Sequence, residues 1–117
     1  MIAVLRENYS GPFLSKAKAE ITEYLSNSLV SFLVLETKGV VGFVGYAQSW
    51  MDWDSYEVFW MNIAKSCQGK GHGRQLAEAL IRKLEQRKAQ NILLWTDKED
   101  FWGKFGFVQY APGLMRR

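Results

Sequence analysis

The 117-residue chain has one cysteine, one histidine and two prolines, and it has no hydrophobic run long enough to cross a bilayer. Each absence excludes something. Cys67 alone cannot close an internal disulfide, so a disulfide scaffold is excluded and a reducing cytoplasm is the expected compartment. His72 is the only histidine, and no Cys or Asp stands at metal-ligand spacing, so no metal is expected. A transmembrane helix needs roughly 18–20 consecutive apolar residues, which no stretch supplies. The start, Met1-Ile2-Ala3-Val4-Leu5-Arg6, lacks the basic flank and cleavage site of a signal peptide. A surplus of one charge is missing as well: 15 Lys and Arg face 12 Asp and Glu, giving a net charge of +3 dispersed along the chain. Nucleic-acid binding needs a concentrated basic patch, so this balance suits an anionic cofactor better, with neither nucleic acid nor membrane as partner. Repeats, low-complexity tracts and internal linkers are absent too.

What is present is hydrophobic: 48% of residues are apolar and 15% aromatic, enough for one globular domain over residues 1–117. Residues 2–6 alternate weakly and predict a short strand, and Asn8-Tyr9-Ser10-Gly11-Pro12 predicts a turn in which Pro12 ends the ladder. Ser15 is the expected N-cap of a helix over about 16–26, with Ala17, Ile21 and Leu25 on one face and Tyr24 beside it. Leu29 to Thr37 and Val40 to Ala47 predict two strands joined by a tight turn at Lys38-Gly39. Gly42 and Gly45 mark a bulge or a close approach in the second of them. A loop from Gln48 to Ser55 leads to a strand over Tyr56 to Ile63, whose two-residue period puts Glu57, Phe59, Met61 and Ile63 on one face. A helix over about 73–89 buries Leu76, Ala77, Leu80, Ile81 and Leu84, and Glu78 and Arg82 make an i, i+4 pair outside. A strand at Ile92 to Thr96, a brief helix over about 99–105 and a strand at Phe107 to Tyr110 follow. The tail after Tyr110 is too short for a long closing strand. This order predicts an α/β fold with a mixed sheet, in which the 73–89 helix makes a right-handed crossover between parallel strands.

The stretch Gln68-Gly69-Lys70-Gly71-His72-Gly73-Arg74 joins a strand to that helix. Glycine tolerates positive φ, and a helix start presents main-chain N–H groups beside the positive end of its dipole, so this is an anion site. It is not a P-loop, because no Ser or Thr follows Lys70 and the glycine spacing is wrong. Nor is it a dinucleotide fingerprint, since Arg74 stands where the third glycine belongs and Gln90-Asn91-Ile92-Leu93 offers no acid for a ribose. Gln68, Gly71 and Gly73 do meet the pattern Q/R-x-x-G-x-G/A.

That pattern, Ile63 five residues before Gln68, and the late segment Phe101-Trp102-Gly103-Lys104-Phe105-Gly106-Phe107 together resemble the GNAT superfamily of acetyl-CoA-dependent N-acetyltransferases. The resemblance is specific over about residues 55–108. It implies a mixed sheet whose central parallel strands splay apart to admit acetyl-CoA as co-substrate, flanked by helices and with a shortened C-terminus. Carried over, the backbone N–H groups of Gly69, Gly71, His72, Gly73 and Arg74 would hold the pyrophosphate, while Lys70 and Arg74 side chains would neutralise its charge. Main-chain groups of Ile63 and Lys65 would pair with the pantetheine arm, and an N–H near Ile63 would polarise the thioester carbonyl. Glu57, eleven residues before Gln68, stands at the spacing of the catalytic glutamate in histone-acetylating members, where apolar neighbours would favour its protonated form. Trp102 replaces the tyrosine with which many members protonate the departing thiolate, and an indole N–H has no useful acidity.

Trp50, Asp52, Trp53 and Asp54 combine aromatic faces with carboxylates, a pairing that suits either a cationic amine acceptor, small molecule or peptide, or a loop that uses its tryptophans as a lid over the core. The expected reaction is direct acetyl transfer to a primary amine in a ternary complex. A catalytically silent acyl-CoA-binding regulatory or interaction module is the competing expectation. The short C-terminus would leave an open sheet edge for a second subunit, making a homodimer.

Overall fold

The structure, a computed structural model, describes residues 1–26, 29–49, 54–111 and 113–117. Its N-terminal residues form a helix, α1 (Ile2–Asn8), where alternation predicted a strand. Met1, Leu5 and Tyr9 recur at helical spacing and pack, with Ile2 and Val4, into one apolar cluster; that period outweighs the weak alternation. α2 (Gly11–Leu25) starts earlier than Ser15, with Ser10 at the N-cap position. Pro12 lies in its first turn, where a missing N–H costs nothing, so the proline opens a helix rather than ending a strand. Ala17 and Ile21 are buried as expected, Tyr24 is half-buried, and Leu25 at the last turn is exposed.

The predicted elements follow in order: β1 (Val30–Glu36), β2 (Val40–Gln48), β3 (Ser55–Ile63), α3 (His72–Gln86), β4 (Asn91–Trp95), α4 (Glu99–Gly103) and β5 (Val108–Ala111); a 3-10 turn at Lys65–Cys67 and a last short strand, β6 (Leu114–Arg116), are unexpected. They make a six-stranded mixed sheet in the order β1-β2-β3-β4-β6-β5, with β3 and β4 parallel and joined through α3. The short β6 inserts between β4 and β5, so the edge expected after the truncated tail moves outward to β5, where Val108 and Tyr110 are exposed.

Two apolar clusters sit on opposite faces of the sheet. Leu76, Ala77, Leu80, Ile81 and Leu84 of α3 meet Val44, Tyr46, Tyr56, Val58, Ile92 and Leu94 on one face. Val4, Leu5, Ala17 and Ile21 of α1 and α2 meet Phe43 and Ala64 on the other. Fully burying one Leu or Ile contributes about 1.5–3 kcal/mol, so these stripes decide the side each helix takes. Outside the core, Glu78 pairs with Arg74 at 2.8 Å rather than with Arg82.

β3 does not keep its two-residue period. Phe43 and Gly45 of β2 face Asn62 and Phe59 of β3, so two steps on one strand match three on the other. The extra residue is a β-bulge at Trp60, which holds φ at 53°. Beyond it the faces exchange. Glu57, Phe59 and Asn62 lie on the α1/α2 side, whereas Met61 and Ile63 turn to the α3 side and pack against its cluster. The expected single face of Glu57, Phe59, Met61 and Ile63 is therefore split in two. Gly45 is required here, because a Cβ would stand 2.5 Å from the Phe59 ring.

Candidate active site

The parallel ladder between β3 and β4 ends at Val58 and Leu94, just where the bulge begins. Beyond that point the two strands part and leave a cleft of about 650 Å³. β3 supplies Met61, Asn62 and Ile63; β4 and its exit supply Trp95, Asp97 and Lys98; the ends are closed by Gly73, Phe101 and Trp102 and by Tyr9. A second space of about 410 Å³ adjoins it on the α1 side, lined by Glu7, Asn8, Asn62, Lys65 and Lys98.

The glycine loop stands at the α3 end of this cleft. Gly69 and Gly71 hold φ at 77° and 82°, conformations that side-chain-bearing residues rarely adopt. Gly71 is the N-cap residue of α3, and no side chain caps that helix start. The first N–H groups of α3 thus have no partner within the helix, as an anion-binding end requires. Gly73 differs: its φ is not left-handed, and a Cβ there would meet the Phe101 ring at 3.5 Å, an ordinary contact, so neither backbone nor space demands glycine at this position. Gln68 and Lys70 are exposed at the loop, and the Arg74 side chain is exposed but held by Glu78. His72 is half-buried, and its Nδ1 is buried without a partner among the described residues.

Other predicted residues fall differently. Ile63 lines the cleft, but its carbonyl already accepts from Asn8 Nδ2 at 2.8 Å and from Gln68 Nε2 at 2.9 Å. Both lone pairs are engaged, so this carbonyl is not open to a pantetheine amide. Lys65 is exposed at the start of the 3-10 turn and borders the smaller space. Glu57 is exposed at the start of β3, before the bulge, and the apolar surround expected from Met61 is missing because Met61 faces the other way. Trp102 is 4% exposed and packs edge-on against Phe101 and Phe107, with part of its surface on the cleft. Trp50, Asp52 and Trp53 lie outside the described residues. Asp54 is exposed, and its carbonyl accepts from the Gln90 and Asn91 amides, anchoring the loop before β3 to the strand beside it.

Residues that sequence reasoning passed over also stand here. Asn8, Tyr9, Asn62, Trp95 and Lys98 come from five separate elements or loops, and none belongs to a local motif. α1 is fastened to the loop by Glu7, whose Oε1 accepts from the Ser66 backbone N–H at 2.9 Å and from its hydroxyl at 2.8 Å. Those two bonds hold the Glu7 carboxyl below the usual carboxylate range.

Residues 1–107 match the family model described as acetyltransferase (GNAT) family. No curated protein matches the chain in sequence. Among solved structures, a provisionally described GNAT acetyltransferase from Desulfovibrio desulfuricans superposes with a TM-score of 0.80 at 17% identity, covering 98% of this chain and 85% of that one. A GNAT acetyltransferase from Brucella melitensis, solved with acetyl-CoA, has a TM-score of 0.75 at 18% identity over 98% of this chain and 74% of its own. The PaiA N-acetyltransferase from Thermoplasma acidophilum, solved with coenzyme A, has a TM-score of 0.72 at 19% identity over 99% and 89%. At these identities the likeness establishes the fold.

Proposed function

Because the chain belongs to the acetyltransferase (GNAT) family, we propose that it moves an acetyl group from acetyl-CoA to a primary amine by direct transfer in a ternary complex. The observation that carries this reading is the parting of β3 and β4 beside an uncapped glycine-rich helix start. Similar folds solved with acetyl-CoA or coenzyme A support it.

In this reading the amides of Gly69 to Arg74 take the pyrophosphate, with Lys70 supplying positive charge. Gln68 is spent on holding the loop to Asn8 and Ile63. The acyl arm lies on the α3 side of β3, against Met61, Ile63 and Trp102, and the amine enters from the α1 side. Glu57 stands on that α1 side and takes the ammonium proton, and the segment Trp50–Asp54 holds the ammonium charge. The amine lone pair then forms the bond to the thioester carbon, an N–H near Ile63 steadies the carbonyl oxygen, and the C–S bond breaks. The acylated nitrogen sheds its extra proton to water as the amide forms, and the thiolate takes its proton from water, since the Trp102 indole is too weakly acidic to supply one.

Calorimetry with coenzyme A, together with free-thiol release from acetyl-CoA across a panel of primary amines, tests this. Binding with amine-dependent release is expected. Binding without release would favour a silent acyl-CoA-binding module, the reading that Trp102 in place of tyrosine supports. Failure to bind would defeat both.

A further inference from the structure

The α1 wall of the cleft carries three side-chain amides whose orientation is set by one carbonyl. Ile63 O can only accept, so Asn8 Nδ2 and Gln68 Nε2 must both point their N–H groups at it, at 2.8 and 2.9 Å. Gln68 Nε2 also donates to Asn8 Oδ1 at 3.2 Å, consistent with that orientation. The second N–H of Asn8 goes to Asn62 Oδ1 at 3.3 Å. Flipping Asn62 would set one NH₂ against another. The relay therefore ends at Asn62 Nδ2, a donor.

That donor has nothing to give to. Asn62 is only 6% exposed, and its Nδ2 is buried without a partner among the described residues. A native fold rarely leaves such a group unpaired unless a ligand or water completes it. Asn62 borders both the main cleft and the adjoining space. The titratable groups lining that adjoining space are Glu7, Tyr9, Lys65 and Lys98, and the Glu7 carboxylate is occupied by Ser66. What remains on offer is an amide donor, the Tyr9 phenol and two lysines, all able to donate, a surface that suits an oxygen acceptor.

We propose that Asn62 Nδ2 is a specificity-determining donor for a carbonyl or carboxylate oxygen adjacent to the acceptor amine. The acceptor is then an α-amino carbonyl compound, an amino acid or the first residue of a peptide, and a plain alkylamine is a poorer substrate. The inference rests on the amine-acetylation reading above. Asn62 lies between Met61 and Ile63, which line the acyl side of the splay, so its side chain reaches the α1 side beside the reacting position. An oxygen it binds must be a few bonds from the attacking nitrogen, as in an α-amino carbonyl.

The test compares phenylalaninamide with phenethylamine, which share the amine and the ring and differ in the carboxamide. Free phenylalanine and a Phe-Gly dipeptide separate carboxylate from peptide acceptors. Wild type, Asn62→Asp and Asn62→Ala are assayed for acetyl-CoA-dependent thiol release. Asn62→Asp keeps the oxygen that Asn8 needs and removes the donor. The lower basicity of an α-amino carbonyl also affects rate, but that effect persists in the variants, so the change in ratio is the readout. In both variants kcat/KM should fall at least about tenfold more for the oxygen-bearing amine than for phenethylamine. Equal losses on both members, or no loss on either, would overturn the proposal while leaving acetyl transfer intact. If no amine releases thiol, acetyl transfer itself is in error, and thermal unfolding with coenzyme A present still decides the donor. Phenylalaninamide should then raise the Tm of wild type more than phenethylamine does, and not in the variants; no difference would also overturn the proposal.

Discussion

Trp60 is the residue on which the geometry of the cleft turns. An aromatic side chain at a φ of 53° carries strain on the order of 1–3 kcal/mol, so neighbouring groups must hold it there. Its indole N–H donates to Glu20 Oε1 at 3.0 Å, the Tyr24 hydroxyl donates to the same oxygen at 3.0 Å, and its ring meets Tyr9 edge-on. Partial burial, and next the Glu20 carboxylate, push the Tyr24 hydroxyl above its ordinary value. Removing Glu20 leaves both donors unmatched beside the bulge. Glu20→Ala should lower unfolding free energy in urea by roughly 1–3 kcal/mol, with Glu20→Gln retaining part of it. None of this was visible in the sequence, where Trp60 is one more aromatic residue in a strand.

Among the elements, α3 and α1 make opposite cases. The α3 stripe was legible because five apolar residues repeat at the helical period, and all five are buried. The glycine loop was legible for a similar reason, since the backbone conformations it needs restrict the residue type. α1 is seven residues long, and over that length helical and strand periods compete. Its position is set by Glu7, which bonds Ser66 in the turn before the glycine loop. Because those bonds lower the carboxyl in the folded state, their stabilisation is complete above the ordinary carboxylate range. It is lost as pH falls through the lowered value. The Tm advantage of wild type over Glu7→Gln should therefore be constant near neutrality and vanish in acid. An advantage that persists or grows at low pH would contradict the role given to the Glu7 charge.

At the scale of the whole molecule, two apolar clusters share β2 and β3 from opposite faces. Damage to either should therefore destabilise one cooperative unit. Leu80 and Ile21 are both fully buried, one in each cluster. Leu80→Ala and Ile21→Ala should each cost about 2–5 kcal/mol. Far-UV circular dichroism and tryptophan fluorescence should still report a single, coincident urea transition in each variant. Separate transitions would mean that the two faces fold independently. The mixed order of the sheet was legible from strand–helix–strand succession, but the insertion of β6 between β4 and β5 was not. Three residues after a turn carry too short a pattern to announce a strand.

By itself the sequence determined what local chemistry dictates: the β1–β2 hairpin, the α3 stripe, the strands around it and the glycine-rich start of that helix. Each depends on a period or a backbone conformation that neighbouring residues record. The tertiary structure alone decided the phase of β3 after Trp60, the helical state of residues 2–8 and the amide relay ending at Asn62. Asn8 meets Asn62 and Gln68 across 54 and 60 positions. A hydrogen bond over that separation leaves no mark in either partner's surroundings in the chain, so only the folded sheet brings donor and acceptor together.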